Sequence, residues 1–224
     1  MGNSPHHSSL KHSSLYDSIN IKGFTFFPQP LFQDGDLMRT NRILVSALLF
    51  LISSPSFSKV FDAQINMVNF PQEQEAKVHK AIELIKKVVL SPEFKDRVLS
   101  HTYEGKKAYV NNKGLTNEEI YQLIIDGSET LQPEKNGRMD VELELYNNSS
   151  TTVGYTYPDT TRIWVNTKYF DRYTPVQVAD NIFHEWLHKL GFDHALKYSQ
   201  SRNYSVPYAI GYLVEELAMK HYRP

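Results

Sequence analysis

The clearest hydrophobic pattern runs from Gln72 to Leu90, where apolar side chains recur every three or four positions. This spacing predicts a long helix with one buried face, because residues three and four apart lie on the same side of a helix. The same reasoning predicts shorter helices over 92–98 and 117–125. The latter opens with Thr116 and Glu119, the spacing of a capping box.

A different period follows in the middle of the chain. Apolar and acidic residues alternate over Val141–Leu145, which predicts a half-buried strand with its acidic side chains in solvent. Aromatic and β-branched residues then occupy Val153–Tyr157 and Arg162–Asn166, separated by a turn at Pro158-Asp159. This arrangement predicts a β-hairpin. A final apolar stripe predicts a C-terminal helix over Tyr208–Lys220.

The strongest helix signal lies between the hairpin and this last helix. Thr174 has the side chain of an N-cap, Pro175 suits the first helical position, and Gln177 stands where a capping box needs an acceptor. The helix is expected to run to about Leu190. It should end at Gly191, because glycine most easily adopts the positive φ of a helix C-terminus.

This helix carries residue types that bind metal ions. His184 and His188 are four residues apart, so both imidazoles project from one face and can reach the same ion. The turn at Gly191 can return His194 as a third ligand, which leaves one position for water, as in catalytic zinc sites. Glu185 stands beside the first ligand, where it can take a proton from that water. The combined spacing is H-E-x-x-H-x-x-G-x-x-H.

The stretch H-E-W-L-H-K-L-G-F-D-H resembles the zinc signature of the metzincin metallopeptidases. The resemblance implies that His184, His188 and His194 bind one catalytic Zn²⁺ and that Glu185 is the general base. Its G-F-x-H portion is most similar to astacins, although Ala195 replaces the glutamate that usually follows.

The resemblance also implies the fold. It predicts an α+β, metzincin-like zincin domain over residues 59–224, with a small twisted mixed sheet, a long N-terminal helix, an active-site helix and a C-terminal helix. Metzincins also place a methionine turn beneath the zinc, where this chain has Pro207. Tyr208 is the candidate for a phenol near the zinc, with Tyr204 as the alternative. By the same resemblance, Val153–Tyr157 is the candidate edge strand that pairs with a substrate, whereas an ordinary internal hairpin is the other interpretation.

Composition narrows the class of protein. The chain has 224 residues, of which 41% are hydrophobic, enough for one domain with a sizeable core. A formal net charge of −1 favours neither nucleic acid nor an anionic membrane as partner. The absence of cysteine excludes disulfides and thiol chemistry.

The N-terminal segment has the pattern of a signal peptide that begins at Met38. Basic residues follow this methionine, Ile43–Ile52 is apolar, and Ser56-x-Ser58 is a small-residue cleavage site. We therefore interpret residues 38–58 as a signal peptide and residues 1–37 as a disordered or non-native extension. The apolar run is too short for a stable membrane anchor, so the protein is expected to be secreted or periplasmic.

Taken together, these patterns predict a secreted zinc-dependent endopeptidase that acts on protein or peptide substrates. The sequence leaves two alternative functions open. One is a zinc-binding interaction module without catalytic activity, and the other is a metal-dependent amidohydrolase that acts on amides other than peptides. The sequence carries no signal for oligomeric state.

Overall fold

A computed structural model describes residues 60–223 of the chain. The predicted extension, 1–37, and the predicted signal peptide, 38–58, lie outside the described residues. The described part is α+β, as predicted, and contains one four-stranded mixed sheet. Its strands are β1 (Asp62–Val68), β2 (Arg138–Tyr146), β3 (Gly154–Thr156) and β4 (Arg162–Asn166), in the spatial order β1-β2-β4-β3.

Strand β2 is the centre of the sheet and pairs in parallel with both β1 and β4. Its alternation is as predicted: Met139, Val141 and Leu143 are buried in the core. On the opposite face, Glu142 and Glu144 accept hydrogen bonds from the guanidinium of Arg162. These acidic side chains are therefore half-buried and ion-paired, not free in solvent as predicted.

The predicted hairpin is present as β3 and β4, which pair antiparallel. Strand β3 forms one edge of the sheet, and its outer side faces a cleft. Strand β1, which the sequence analysis did not predict, forms the other edge.

Six α-helices are present in the described residues, and three of them form the main helical layer. Their bounds are α1 (Gln72–Val89), α2 (Pro92–Ser100), α3 (Asn117–Asp126), α4 (Thr167–Phe170), α5 (Pro175–Lys189) and α6 (Val206–His221). The long helix α1 packs against both α5 and α6, and α5 and α6 pack against each other. No helix in this part of the chain combines the length and apolar character needed to cross a membrane.

Helix α5 begins and ends as its sequence predicts. Thr174 and Gln177 form the reciprocal hydrogen bonds of a capping box, and Pro175 occupies the first turn. The chain leaves the helix through Gly191, whose φ of 90° is in the left-handed region that favours glycine. Helix α6 begins at Val206, two residues before its predicted start, with Ser205 as its N-cap and Pro207 within its first turn.

Candidate metal centre

Three histidines come together at the C-terminal half of α5. His184 and His188 lie one turn apart on this helix, and the turn at Gly191 returns the chain so that His194 faces both. The Nε2 atoms of His184 and His194 are 3.2 Å apart. One ligand atom from each of the three histidines lies within 4.8 Å of the others, which is close enough for them to share a metal ion.

Backbone carbonyls orient the three rings. Nδ1 of His188 lies 2.6 Å from the carbonyl oxygen of Phe192, and Nδ1 of His194 lies 3.2 Å from that of Ala195. When Nδ1 donates to these carbonyls, Nε2 of each ring keeps its lone pair for a ligand. His184 also has a backbone hydrogen bond, to Pro207, which can only accept through its carbonyl.

The histidines are held in the neutral form that binds metal ions. Burial lowers the pKa of His184 well below its usual value, and the neighbouring His188 and His194 lower it further. Burial also lowers the pKa of His188 and of His194. Protons therefore compete only weakly for these rings at neutral pH.

The geometry of the rings agrees with a tetrahedral ion. Two imidazole nitrogens that each lie about 2.0–2.1 Å from one tetrahedral ion are themselves about 3.3 Å apart. The distance of 3.2 Å between Nε2 of His184 and Nε2 of His194 is close to this value. The three histidines thus fit a divalent cation that prefers nitrogen ligands.

Glu185 lines the same cleft as the histidines, although its side chain is 6% exposed. Burial raises the pKa of this carboxyl group to about 8; the nearby ammonium of Lys189 acts in the opposite direction, and Asp180 adds to the increase. A carboxyl group that titrates near neutral pH can both accept and return a proton.

Tyr208, the predicted phenol, packs directly against the histidines. The centre of its ring lies 4.5 Å from that of His184 and 4.6 Å from that of His194. Its hydroxyl accepts a hydrogen bond from Arg202, whose guanidinium lies 4.4 Å from the centre of the phenol ring. The alternative, Tyr204, packs against Tyr103 at a tilted angle instead and does not line the cleft.

The cleft itself has a volume of about 770 Å³ and is open on one side to solvent. Strand β3 and the residues around it form one wall, and α5 with the start of α6 forms the other. Because β3 is an edge strand, half of its backbone N–H and C=O groups have no partner in the sheet. The residues of β3 line the cleft that contains the histidines.

Sequence reasoning missed Lys189, which joins α5 to the hairpin. Its side chain is almost completely buried and donates to Oγ1 of Thr156 and to the carbonyls of Thr160, Tyr157 and Arg162, the last two at 3.2 and 3.0 Å. Burial lowers the pKa of this ammonium group to about 8, while Glu185 and Asp159 act to raise it. Lys189 therefore fixes the position of β3 relative to the histidines.

A second missed contact lies behind α5. The indole of the fully buried Trp186 donates a hydrogen bond of 2.7 Å to Glu129, and the same carboxylate oxygen accepts from the backbone of Asp140 at 2.9 Å. The backbone N–H of Thr130 also donates to the carbonyl of Lys189 at 2.8 Å. These bonds connect the histidine-bearing helix to the central strand β2.

Comparison with known proteins adds no relative: no protein-family model matches the chain, and no curated protein is significantly similar to it. The function of the protein is therefore inferred from its own residues.

Proposed function

We propose that this protein is a zinc-dependent endopeptidase, and that its catalytic domain is of the metzincin type implied by its H-E-x-x-H-x-x-G-x-x-H sequence. The observation that carries the proposal is the convergence of three imidazole nitrogens in a cleft that has an unpaired strand edge along one wall. This combination joins a site for a metal ion to a surface that can bind an extended peptide.

Zinc is the metal that suits these ligands best. Three histidine nitrogens with a fourth position left for water are typical of catalytic zinc, and no thiolate is present in the chain to favour a closed structural site. Bound there by His184, His188 and His194, zinc would polarise a substrate carbonyl and lower the pKa of a coordinated water to about 7.

The residues of the chain then perform the proton transfers. Glu185 accepts a proton from the attacking water and delivers it to the leaving amine, a role supported by its raised pKa and its place in the cleft. Tyr208 lies against two of the ligands, where its phenol can donate a hydrogen bond to a carbonyl oxygen that becomes negatively charged. Arg202 orients that phenol through its own hydrogen bond.

Strand β3 provides the binding surface for the substrate backbone. An extended peptide that adds to the free edge of β3 would lie along the cleft, beside the histidines. Such backbone recognition favours a peptide over a small amide, because an isolated amide group cannot use the whole edge. The signal-peptide prediction for residues 38–58 is consistent with an enzyme that acts on proteins outside the cytoplasm.

The test combines metal analysis with hydrolysis. We expect the purified protein to bind one zinc ion per chain and to cleave a denatured protein substrate. A chelator should abolish cleavage, and added zinc should restore it. In the Glu185→Gln variant, zinc should remain bound while the rate falls by about 10²–10⁴-fold, the usual contribution of a general base. The His188→Ala variant should lose both zinc and activity.

Two results would contradict the proposal. Undiminished cleavage by the Glu185→Gln variant would remove the role of this carboxylate. Stoichiometric zinc without cleavage of any peptide by the unaltered protein would favour an interaction module, and cleavage confined to small non-peptide amides would favour an amidohydrolase.

A further inference from the structure

A carboxylate lines the cleft one helical turn before the first histidine. This residue, Asp180, is four positions before His184 on α5, which corresponds to about 6 Å along the helix axis. The phenol rings of Tyr173 and Tyr212 line the same part of the cleft. We call these three residues the acidic subsite.

Asp180 has no side-chain partner in the part of the chain that the structure describes. Among residues 60–223, its carboxylate forms no ion pair and no hydrogen bond with another side chain. Asp180 is only partly exposed where it lines the cleft, and carboxylates in such positions usually have a cationic or hydrogen-bonding partner. Because Asp180 borders the cleft, a cationic ligand from solvent could pair with its carboxylate.

The neighbouring helix is shaped to make room for this carboxylate. A Cβ atom at Gly211 would lie only 2.5 Å from Oδ1 of Asp180, so any larger residue at this position in α6 would displace it. Glycine in the interior of a helix costs about 1 kcal/mol relative to alanine. Glycine at position 211 therefore makes room for the side chain of Asp180 but lowers the stability of α6.

The charges around the acidic subsite have the sign that attracts a cation. Glu215, also on α6, is close enough for its negative charge to act on Asp180. Arg202, the one lysine or arginine among the described residues that line the cleft, is engaged by the ring and hydroxyl of Tyr208. The rings of Tyr173 and Tyr212 can add cation–π attraction for a positively charged group between them.

We propose that the acidic subsite binds a lysine or arginine side chain of the substrate, next to the bond that is cleaved. This inference rests on the proposed peptidase function and specifies its substrate class. A lysine or arginine side chain spans about 6 Å, which matches the single helical turn between Asp180 and His184. A substrate residue positioned at the metal centre would therefore reach the carboxylate with its terminal charge.

The first experiment maps cleavage sites. The zinc-loaded full chain is incubated with a mixture of peptides derived from many proteins, and the residues on each side of every cut are counted. We expect lysine and arginine to be enriched about tenfold at one fixed position next to the cut. In the Asp180→Asn variant this enrichment should disappear while other peptides are still cleaved. The matched control, Asp96→Asn, removes an equal charge from an exposed position on α2 outside the cleft and should retain the enrichment.

The second experiment measures binding without hydrolysis. In the zinc-loaded Glu185→Gln background, fluorescence anisotropy compares peptides that contain lysine with identical peptides that contain acetyl-lysine. We expect the lysine peptides to bind about tenfold more tightly, and the added Asp180→Asn substitution to reduce this ratio to about one.

The two experiments separate the subsite from the catalytic proposal. Charge-selective binding by a protein that cleaves nothing would support the acidic subsite and contradict the peptidase function. Cleavage without a preference for lysine or arginine would overturn the acidic subsite and leave the peptidase function intact. Equal binding of lysine and acetyl-lysine peptides would also overturn it, as would a preference that survives in Asp180→Asn.

Discussion

Replacement of Lys189 by methionine tests how the hairpin is held beside the histidines. The ammonium group of Lys189 has four acceptors within reach, in Thr156, in the turn that follows it and at the start of β4, but only three N–H groups to donate. Methionine keeps most of the apolar stem and removes all of these hydrogen bonds.

The magnitude follows from the number of bonds. A hydrogen bond within a protein contributes about 1 kcal/mol net, so three bonds correspond to about 3 kcal/mol. Burial of the ammonium group opposes part of this gain, as its lowered pKa indicates. In the variant, however, the acceptors stay buried without a donor, which adds to the loss of stability. We therefore expect the free energy of unfolding to fall by about 2–4 kcal/mol.

Urea denaturation of the metal-free protein measures this loss as a lower midpoint at unchanged slope. The control is Lys107→Met, which removes an exposed ion pair with Glu118 and should cost no more than about 1 kcal/mol. We also expect Lys189→Met to bind zinc normally and to raise KM more than it lowers kcat, because the hairpin supports substrate binding. A loss below 1 kcal/mol, with unchanged KM, would refute the idea that Lys189 positions β3.

Three further predictions concern the metal centre and its surroundings. Burial and the charge of Glu215 raise the pKa of Asp180 to about 7 from 3.8, so folding is penalised increasingly as pH rises through this range. At pH 8, metal-free Asp180→Asn should therefore have a free energy of unfolding about 1–2 kcal/mol higher than that of the unaltered protein, a figure that allows for solvent in the cleft. Urea titrations at both pH values should show that this difference vanishes near pH 4. Gly191→Ala should lower the unfolding free energy by about 1–2 kcal/mol and weaken zinc binding in a competition titration, because alanine is strained at a φ of 90° and the turn positions His194. Zinc at about 1,000 times its Kd should stabilise the unaltered chain by about 4 kcal/mol in thermal denaturation, and His188→Ala should abolish this effect.

Local sequence signals predicted the parts of this fold that depend on local interactions. The capping box at Thr174 and the positive φ at Gly191 set the ends of α5, and both can be identified from single residue types at fixed spacing. The same is true of the spacing that brings His184, His188 and His194 together, because a helix and one turn determine most of their geometry.

The parts that sequence analysis missed depend on residues distant in the chain. Lys189 donates to acceptors that lie 27–33 residues earlier, and Trp186 bonds a carboxylate 57 residues earlier. Strand β1 was missed for the same reason, since its partner in β2 lies far along the chain and its own pattern is short. The position of Asp180 in the cleft could not be predicted, because an acidic residue on a helix usually faces solvent.

The bond between Trp186 and Glu129 has a consequence for how the proposed metal site would be loaded. The ligand-bearing helix is attached on one side to β2 through that indole and on the other to the hairpin through Lys189, and neither attachment involves the ion. Loading the site therefore requires no folding step, unlike in zinc fingers, whose chains are disordered until they bind metal. We expect the metal-free protein to keep its native circular dichroism spectrum and, if the proposed function holds, to become active as soon as zinc binds.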